Sequence, residues 1–297
     1  MSATMTPIVR PDQAGAPLEM PELPEVETVR GDLEQAFVGR KIVGARAAGI
    51  HRLRRHSPAA ELIEAVVGRH LVRIRRKGKY LVADLDGGVA VVVHLGMSGQ
   101  LRQAEPDDPL AAHTHVVIDW NDGRQLRLVD PRTFGELFVA TPGPGGRITE
   151  LAHLGADALH TALTAKQVAA LLATRRIRLK ALLMDQRFLA GIGNLYADEI
   201  LWAARLSSTC RACDLTAAEV GRLWRARRRV LLAAIEHRGS SLADAQYRDL
   251  AGAVGGYQLF HQAYGREGHP CRRCRTPIIR LKAAGRSGFS CPRCQVG

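Results

Sequence analysis

Four cysteines in two close pairs impose the strongest constraint on how this chain of 297 residues folds. Cys271 and Cys274 form one C-x2-C pair, Cys291 and Cys294 form the other, and sixteen residues separate the pairs. Two thiolates from each pair can meet one tetrahedral metal, and the intervening segment is long enough for a β-hairpin. The pattern predicts one structural Zn²⁺, which replaces the hydrophobic core that so short a segment cannot build. A pair of disulfides is the alternative.

The other two cysteines and the start of the chain indicate the compartment. Cys210 and Cys213 have no second pair beside them, and we interpret them as ordinary cysteines. Residues 1–19 lack the apolar core of a signal peptide and are predicted to be a disordered extension. No apolar run is long enough to span a bilayer, so no membrane partner is expected. Cysteines without a secretion signal favour a reducing compartment, and we expect a cytoplasmic protein.

The charge of the chain is strongly positive and unevenly placed. The net charge is +13 and the pI is about 10.1. Between Gly39 and Lys79 twelve Lys and Arg residues stand against two Glu, and from Cys271 onward seven basic residues occur without an acid. Clustered cations that neutralise phosphates release counterions, which drives binding to nucleic acids. A solvated basic surface would have the same composition, so charge indicates a nucleic-acid partner without proving one.

The first half of the chain is predicted to contain one helix followed by strands. Apolar residues at three- and four-residue spacing from Leu23 to Phe37 predict the helix, with Pro24 near its start and Gly39 after its end. Strands are predicted at residues 71–85, 89–95, 116–120, 125–129 and 137–139. Residues 141–146 (TPGPGG) are the clearest domain boundary, because this composition favours turns over helix or strand.

The second half is predicted to be helical. Two capping boxes mark helix starts, Thr164 with Gln167 and Thr216 with Glu219. A Gly-rich turn at residues 191–194 opens a further helix that ends near Arg205, and its backbone N–H groups favour an anion such as a phosphate. Residues 239–256 are polar and Gly-containing and are predicted to be a mobile loop.

Several short motifs occur in a fixed order along the chain. They are MPELPEVET at 20–28, KGKYL at 77–81, HLGMSG at 94–99, DPRTFG at 130–135, LMDQ at 183–186, GIGNLYADE at 191–199 and YGREG at 264–268. Together with the four cysteines they resemble the formamidopyrimidine-DNA glycosylases, and the resemblance covers essentially everything from Met20 onward. Several motifs in the correct order are far more specific than any one of them.

The resemblance implies catalytic roles for four residues. In this family the Met is removed and the Pro becomes the N-terminus, so the secondary amine of Pro21 would attack C1′ of a damaged nucleoside and form a Schiff base. Glu22 would act as general acid and base. Lys79 matches the family's β-elimination residue, and Arg286, on the zinc hairpin, matches its phosphate-gripping arginine, which is associated with δ-elimination.

The resemblance also implies residues that hold the damaged DNA. Met97, Arg132 and Phe134 match the family's inserted residues: an apolar wedge, a cation for the orphaned base, and a ring that stacks and kinks the step. The family's DNA-phosphate contacts map onto His115, Arg176 and Asn194.

An α+β fold with three parts follows from the resemblance. It consists of an N-terminal β-sandwich flanked by helices, a helix–two-turn–helix domain, and a four-cysteine zinc-finger β-hairpin. The ranges are 1–19 for the extension, 20–145 for the catalytic domain, 146–256 for the helix–two-turn–helix domain with a lesion-recognition loop, and 257–297 for the zinc finger. The expected partner is double-stranded DNA with oxidised or abasic lesions, bound by a monomer in the basic cleft between the domains and therefore associated with the nucleoid.

Three features depart from the family pattern. With Met1 as the start, the Pro21 nitrogen belongs to a tertiary amide and cannot act as a nucleophile. The Schiff-base hypothesis therefore requires that Met20 be the true start or that the extension be removed. Thr133 stands where some members carry a basic residue, which should cost little. Residues 239–256 do not align residue by residue, which leaves substrate preference open.

The leading interpretation is a bifunctional glycosylase and AP lyase of base excision repair that removes oxidised purines such as 8-oxoguanine and formamidopyrimidines. A Nei-type enzyme for oxidised pyrimidines is the nearest alternative, although its start usually reads Pro-Glu-Gly-Pro-Glu rather than the Pro-Glu-Leu-Pro-Glu of residues 21–25. A zinc-finger DNA-binding protein, or a non-catalytic lesion sensor with a blocked Pro21, is the alternative from another class.

Overall fold

The computed structural model describes residues 20–242, 246–283 and 285–296. The predicted disordered extension, residues 1–19, lies outside these ranges, as do residues 243–245 of the predicted loop. Among the described residues, no helix combines the length and the apolar character needed to cross a bilayer.

The first half of the chain forms a β-sandwich with flanking helices. Its elements are α1 (Leu23–Phe37), β1 (Ile42–Arg46), β2 (Arg55–His56), α2 (Ala59–Val66), β3 (Leu71–Lys77), β4 (Tyr80–Leu85), β5 (Val89–His94), β6 (Gln100–Ala104), β7 (Thr114–Trp120), β8 (Gln125–Val129) and β9 (Glu136–Ala140). One sheet has the strand order β1-β7-β8-β6 and the other the order β2-β9-β5-β4-β3. All neighbouring strands are antiparallel except β2 and β9. The predicted β-sandwich is confirmed.

Alternating residues along the strands produce two apolar layers. In β4, Leu81 and Leu85 belong to the core between the sheets, which also contains Phe37 of α1. Val82 points to the opposite side of its sheet, because successive strand residues face opposite ways. There it packs with Phe138 in a second, smaller apolar cluster.

Residues 71–85, predicted as one strand, are two strands joined by a tight turn, so this prediction is wrong. β3 and β4 form an antiparallel hairpin. Gly78 in the turn has a φ of 59°, a left-handed conformation that glycine adopts without steric cost. A Cβ on Gly78 would lie 2.9 Å from the Cβ of Ala190, so glycine also permits close approach to the second half of the chain. The turn carries Lys79 to that contact.

The second half of the chain is largely helical. Its elements are β10 (Ala156–Asp157), α3 (Ala165–Leu172), α4 (Leu179–Met184), β11 (Leu189–Ala190), α5 (Asn194–Ala204) and α6 (Ala217–Glu236). Both predicted capping boxes are confirmed, because the hydroxyls of Thr164 and Thr216 accept hydrogen bonds from the backbone N–H groups three residues later. Helix α5 is buried along most of its length and packs against α4 and α6, so it is the central element of this half.

The last part of the chain is the predicted antiparallel hairpin, formed by β12 (Ile279–Ala283) and β13 (Arg286–Ser290). β13 packs against α5. The ring of Phe289 meets that of Tyr264 edge-on, with a centroid distance of 5.1 Å. The α+β class and the architecture of sandwich, helical domain and cysteine hairpin are therefore confirmed.

Candidate active site and zinc site

The start of helix α1 carries two of the predicted catalytic residues. Glu22 is the N-cap of α1, and Pro24 suits the first turn because its missing N–H would have no partner there. The backbone N–H of Glu22 donates to a carboxyl oxygen of Glu25 at 2.9 Å. Pro21 and Glu22 are both buried. The helix start thus holds this pair in a fixed position.

The carboxyl group of Glu22 lies at the N-terminus of helix α5. The backbone N–H groups of Gly193 and Leu195 donate to it at 2.5 and 2.9 Å. The positive end of the helix dipole adds to these bonds. The sequence predicts a phosphate or a similar anion at this Gly-rich turn, and in the structure the anionic group there is the Glu22 side chain.

Gly193 is the point at which the side chains of Glu22 and Lys79 come together. A Cβ on Gly193 would lie 2.5 Å from Cδ of Glu22 and 2.7 Å from Nζ of Lys79. Lys79 is 6% exposed and extends from the turn between β3 and β4. The structure therefore brings Pro21, Glu22 and Lys79 into one site. Arg286 lies at the start of β13 with an exposed side chain.

The turn that carries Lys79 is fixed by Asp157. A carboxyl oxygen of Asp157 accepts the backbone N–H of Gly78 at 2.9 Å and a guanidinium N–H of Arg76 at 2.7 Å. Arg76 also donates to Glu27 of α1 at 2.7 Å. Sequence analysis missed this network, because its members are polar residues without a shared motif.

His94 is a further neighbour of Lys79 to which sequence analysis assigned no role. Its ring packs on that of Tyr80 with a centroid distance of 4.5 Å, and its Nδ1 accepts the backbone N–H of Gly96 at 3.1 Å. Burial, with a further contribution from the charges of Lys79 and Arg54, lowers the pKa of His94 to about 4. His94 is therefore neutral near pH 7 and adds hydrogen-bonding capacity without charge.

A small pocket opens beside Pro21. It is lined by Met20, Pro21, Glu22, Glu25, Leu195, Ser240, Leu242, Gln246 and Tyr247. Glu25 accepts the hydroxyl of Tyr196 at 2.6 Å and the backbone N–H of Ser240 at 2.7 Å. Burial raises the pKa of Glu25, and these hydrogen bonds oppose the rise. Glu25 thus ties α1 to α5 and to the start of the predicted loop, a role that sequence analysis did not find.

The three predicted insertion residues lie on two neighbouring loops of the sandwich. Met97 is on the loop between β5 and β6, and Arg132 and Phe134 are on the loop between β8 and β9. Met97 is half-buried and Phe134 is 42% exposed, so neither is a core residue. The guanidinium carbon of Arg132 lies 5.3 Å from the ring centroid of Phe134. The two loops thus carry an apolar side chain, a cation and an aromatic ring, and the last two are in contact.

The three predicted phosphate contacts differ in exposure. His115 is buried, and its Nε2–H donates to the backbone carbonyl of Asp130 at 2.8 Å. Asn194 is the first residue of α5 and is also buried. Arg176 is exposed in the segment before α4. The phosphate-binding roles of all three stay predictions.

The four predicted zinc ligands converge on one point. The Sγ atoms of Cys271, Cys274, Cys291 and Cys294 lie within 4.8 Å of one another, and within the described ranges this is the one cluster of His, Cys, Asp or Glu that could hold a metal. Zinc–sulfur bonds of about 2.3 Å in a tetrahedron place sulfur atoms about 3.8 Å apart, so the cluster fits one Zn²⁺. With four protein ligands the metal has no open position, and its role is structural.

Helix α5 anchors the zinc hairpin. Asp198 accepts the backbone N–H of Phe289 at 2.9 Å and forms a buried ion pair with Lys180 at 2.7 Å. Burial raises the pKa of Asp198 to about 7 against the opposing charge of Lys180. The indole N–H of Trp202 donates to Sγ of Cys271 at 3.4 Å. The helix that receives Glu22 at one end therefore contacts a zinc ligand near the other.

Cys210 and Cys213 lie on the loop before α6, outside the zinc cluster. Burial, with a further contribution from the charges of Glu219 and Asp214, raises the pKa of Cys210 to about 11. The thiol of Cys213 donates to Asp214 at 3.3 Å. A protonated thiol is a weak nucleophile and a weak metal ligand, which agrees with the interpretation of these residues as ordinary cysteines.

Comparison with known families gives three matches along the chain. The model of the formamidopyrimidine-DNA glycosylase N-terminal domain matches residues 20–137, and that of the formamidopyrimidine-DNA glycosylase H2TH domain matches residues 154–246. The model of a zinc finger found in FPG and IleRS matches residues 268–296.

Whole-chain relatives give the same result. The formamidopyrimidine-DNA glycosylase of Herpetosiphon aurantiacus is 43% identical over 277 residues, which are 93% of this chain and 100% of that protein. A crystal structure of the Fpg protein from Thermus thermophilus has a TM-score of 0.81 and 41% identity, covering 93% of this chain and 98% of that one. The Lactococcus lactis Fpg in complex with DNA containing an abasic site has a TM-score of 0.83 and 30% identity, covering 93% of this chain and 100% of that one.

Proposed function

Because this chain belongs to the formamidopyrimidine-DNA glycosylase family, we propose that it is a bifunctional glycosylase and AP lyase that excises oxidised purines from double-stranded DNA. It is a zinc-containing DNA glycosylase of base excision repair, and its proposed substrates are 8-oxoguanine and formamidopyrimidines. The observation that carries the proposal is the shared site of a nitrogen, a carboxyl group and an ammonium group at Pro21, Glu22 and Lys79.

The proposed reaction needs Pro21 as a free N-terminal amine. In a peptide bond with Met20 the nitrogen lone pair is delocalised into the carbonyl group and cannot attack. Once free, the nitrogen forms a bond to C1′, and the damaged base leaves with the electron pair of its glycosidic bond. The amine gives up its proton, and the C1′–O4′ bond then breaks to give an iminium ion. This ion stays positively charged, because a secondary amine leaves no proton on nitrogen to lose.

Glu22 is the proposed proton carrier for these steps. The N–H groups of Gly193 and Leu195 stabilise its ionised form, so it can start as a base and accept the amine proton. It then donates a proton to O4′ as the sugar ring opens. One buried carboxyl group next to the nucleophile thus acts first as the base and then as the acid.

Lys79 and Arg286 are proposed to serve strand cleavage. The iminium ion acidifies the proton on C2′, and loss of that proton expels the 3′ phosphate by β-elimination. Lys79, beside Gly193, is the proposed residue for this step. Arg286 is proposed to hold the lesion phosphate during the δ-elimination that releases the 5′ phosphate, since a guanidinium group binds phosphate oxygens in pairs.

DNA binding is proposed to use the two sandwich loops and the phosphate contacts. Met97, Arg132 and Phe134 fill the space that the extruded nucleotide leaves. The proposed phosphate contacts are His115, Arg176 and Asn194. The protein is inferred to act as a monomer on the DNA of the nucleoid.

Borohydride trapping tests the proposal, because it reduces the iminium ion to a stable covalent complex. Protein that begins at Pro21 and protein that retains the preceding residues are each mixed with duplex DNA containing 8-oxoguanine or an abasic site. Protein with a free Pro21 should be trapped on both substrates. Retention of the preceding residues should abolish trapping, because the Pro21 nitrogen is then part of an amide.

Each contrary result points to a different function. Trapping by protein that retains the preceding residues would refute the assignment of Pro21 as the nucleophile. A protein with a free Pro21 that binds the lesion DNA but is never trapped would be a lesion sensor. Faster excision of oxidised pyrimidines than of 8-oxoguanine would indicate a Nei-type enzyme.

A further inference from the structure

The two loops that carry the predicted insertion residues are joined by one buried acid, Asp130. Its carboxyl group accepts the hydroxyl of Ser98 at 2.5 Å on one oxygen and the backbone N–H of Gly135 at 2.7 Å on the other. Asp130 is 0% exposed. Ser98 directly follows Met97, and Gly135 directly follows Phe134. Each hydrogen bond therefore ends one residue away from a predicted insertion residue.

The third insertion residue is held by the same group. The backbone N–H of Arg132 donates to Oγ of Ser98 at 3.1 Å and to Oδ1 of Asp130 at 3.3 Å. The backbones of the two loops also touch, since a Cβ on Gly96 would lie 2.5 Å from the carbonyl carbon of Phe134. The loops cannot separate without breaking the bonds to Asp130.

The main chain of Asp130 contacts a further predicted DNA-binding residue. Its carbonyl oxygen accepts Nε2–H of His115 at 2.8 Å and the backbone N–H of Thr133 at 3.4 Å. The side chain and the main chain of Asp130 thus orient both the three predicted insertion residues and a predicted phosphate contact.

We propose that Asp130 is a positioning residue for extrusion of the damaged base, which keeps Met97, Arg132 and Phe134 as one pre-formed wedge. The inference rests on the proposed function. A wedge that must become ordered while it enters the base stack uses binding energy to offset its own loss of conformational entropy. Asp130 removes this cost, because the loops are joined before DNA arrives.

A role in fold stability alone predicts a different behaviour from a role in extrusion. Loss of stability reduces the amount of folded enzyme and lowers activity on every substrate equally. Loss of wedge geometry lowers activity only where a base pair must be opened. A single-stranded oligonucleotide with an abasic site has no opposite base and no base to extrude, so it bypasses the wedge.

The test compares Asp130→Asn with wild type, both beginning at Pro21 and both at enzyme excess. Asn keeps the shape of Asp but turns one acceptor oxygen into a donor, so one of the two bonds is lost. Excision of 8-oxoguanine from duplex DNA should slow about tenfold. The rate of cleavage of the single-stranded abasic substrate should change by less than about twofold. Asp107→Asn, an exposed residue on the loop between β6 and β7, is the matched control and should match wild type on both.

A double-mutant cycle gives a readout that a purely structural role does not move. Met97→Ala removes the apolar side chain of the wedge. Asp130→Asn should therefore slow duplex excision much less in a Met97→Ala background than in wild type. Ser98→Ala, which breaks one of the links to Asp130, should behave like a weaker Asp130→Asn.

The outcomes separate this inference from the proposed function. Equal slowing on both substrates, no slowing on duplex DNA, or fully additive effects with Met97→Ala would each overturn the role of Asp130 while leaving the glycosylase assignment intact. A wild-type protein with a free Pro21 that cleaves neither substrate would remove the proposed function, and the role of Asp130 with it.

Discussion

Gly193 is the residue next to which the side chains of Glu22 and Lys79 both lie. Its N–H donates to Glu22, and its missing side chain leaves room for Nζ of Lys79. Its φ of −122° and ψ of −152° are extended values that any residue adopts, so the backbone does not require glycine there. The requirement comes from the two side chains that a Cβ would displace.

Gly193→Ala should therefore slow catalysis without unfolding the protein. The added Cβ pushes Glu22 and Lys79 apart, and misplacement of reacting groups by about 1 Å can slow a reaction about 10- to 100-fold. Gly31→Ala is the matched control, because a Cβ at this position in α1 meets nothing within 4 Å. Initial rates of borohydride trapping on abasic duplex DNA check the prediction. Equal rates for the two variants would show that the close contact at Gly193 does not matter.

His94 gives a prediction for the dependence of stability on pH. Its pKa lies at about 4 in the folded protein against an ordinary value of 6.5. Between these values the unfolded chain binds a proton at His94 and the folded protein does not. The free energy of unfolding therefore falls as the pH drops from 6.5 towards 4, by at most about 1.4 kcal/mol per pH unit from this residue.

His94→Asn tests this origin of the pH dependence, because an Asn oxygen can still accept a hydrogen bond but does not titrate. Urea unfolding at pH 7 and pH 5 should show a smaller loss of stability for His94→Asn than for wild type. The exposed His51 supplies the control His51→Asn, which should lose as much stability as wild type. The same loss in His94→Asn would mean that other groups carry the effect, among them the buried His261, whose pKa burial also lowers.

Among the elements, helix α5 links the candidate active site to the zinc hairpin. Its first turn receives Glu22, and in the same turn the hydroxyl of Tyr196 donates to Glu25. Asp198 binds the hairpin backbone, and Trp202 reaches a zinc ligand. A helix that is fixed at both ends transmits the position of the hairpin to the base of the catalytic pocket.

Loss of zinc should release the hairpin while the N-terminal sandwich stays folded. Cys274→Ser should lose the metal and weaken DNA binding, because the exposed Arg286 would no longer be held in place. Cys213→Ser, outside the cluster, should keep both. Zinc content, affinity for abasic-site DNA and tryptophan fluorescence are the measurements, because the indole of Trp202, one of three tryptophans, donates to Cys271. Tight DNA binding by metal-free protein would contradict this role of the hairpin.

At the scale of the whole molecule, the sequence predicts those features that depend on a continuous motif. The cysteine pairs, the capping boxes and the helix from Leu23 to Phe37 are local patterns, and the structure has all of them. Contacts between distant segments, such as Glu22 with Gly193 or Glu25 with Ser240, depend on how the halves pack, which no local pattern encodes. The Gly-rich turn at residues 191–194 illustrates the difference: the turn is a local pattern, but the carboxyl group that it binds comes from Glu22, far away in the chain.

The charge of the whole chain leads to the last prediction, that DNA binding weakens steeply with salt. The net charge is +13, and each phosphate that the protein neutralises contributes a slope of about −0.9 to the plot of log affinity against log salt. The plot should be measured with DNA containing an unreactive abasic-site analogue, so that catalysis does not disturb binding. A nearly flat plot would exclude an electrostatic DNA footprint.

Two arginine variants determine whether particular phosphate contacts produce the slope. Arg176 is exposed and is a predicted phosphate contact, so Arg176→Ala should make the slope shallower by about 1. Arg46 is also exposed, but it already pairs with Asp119 through hydrogen bonds of 3.0 and 3.3 Å. Because that carboxylate already balances its charge, Arg46→Ala should leave the slope nearly unchanged. Equal changes in the two variants would mean that total charge, rather than contact with phosphates, sets the affinity.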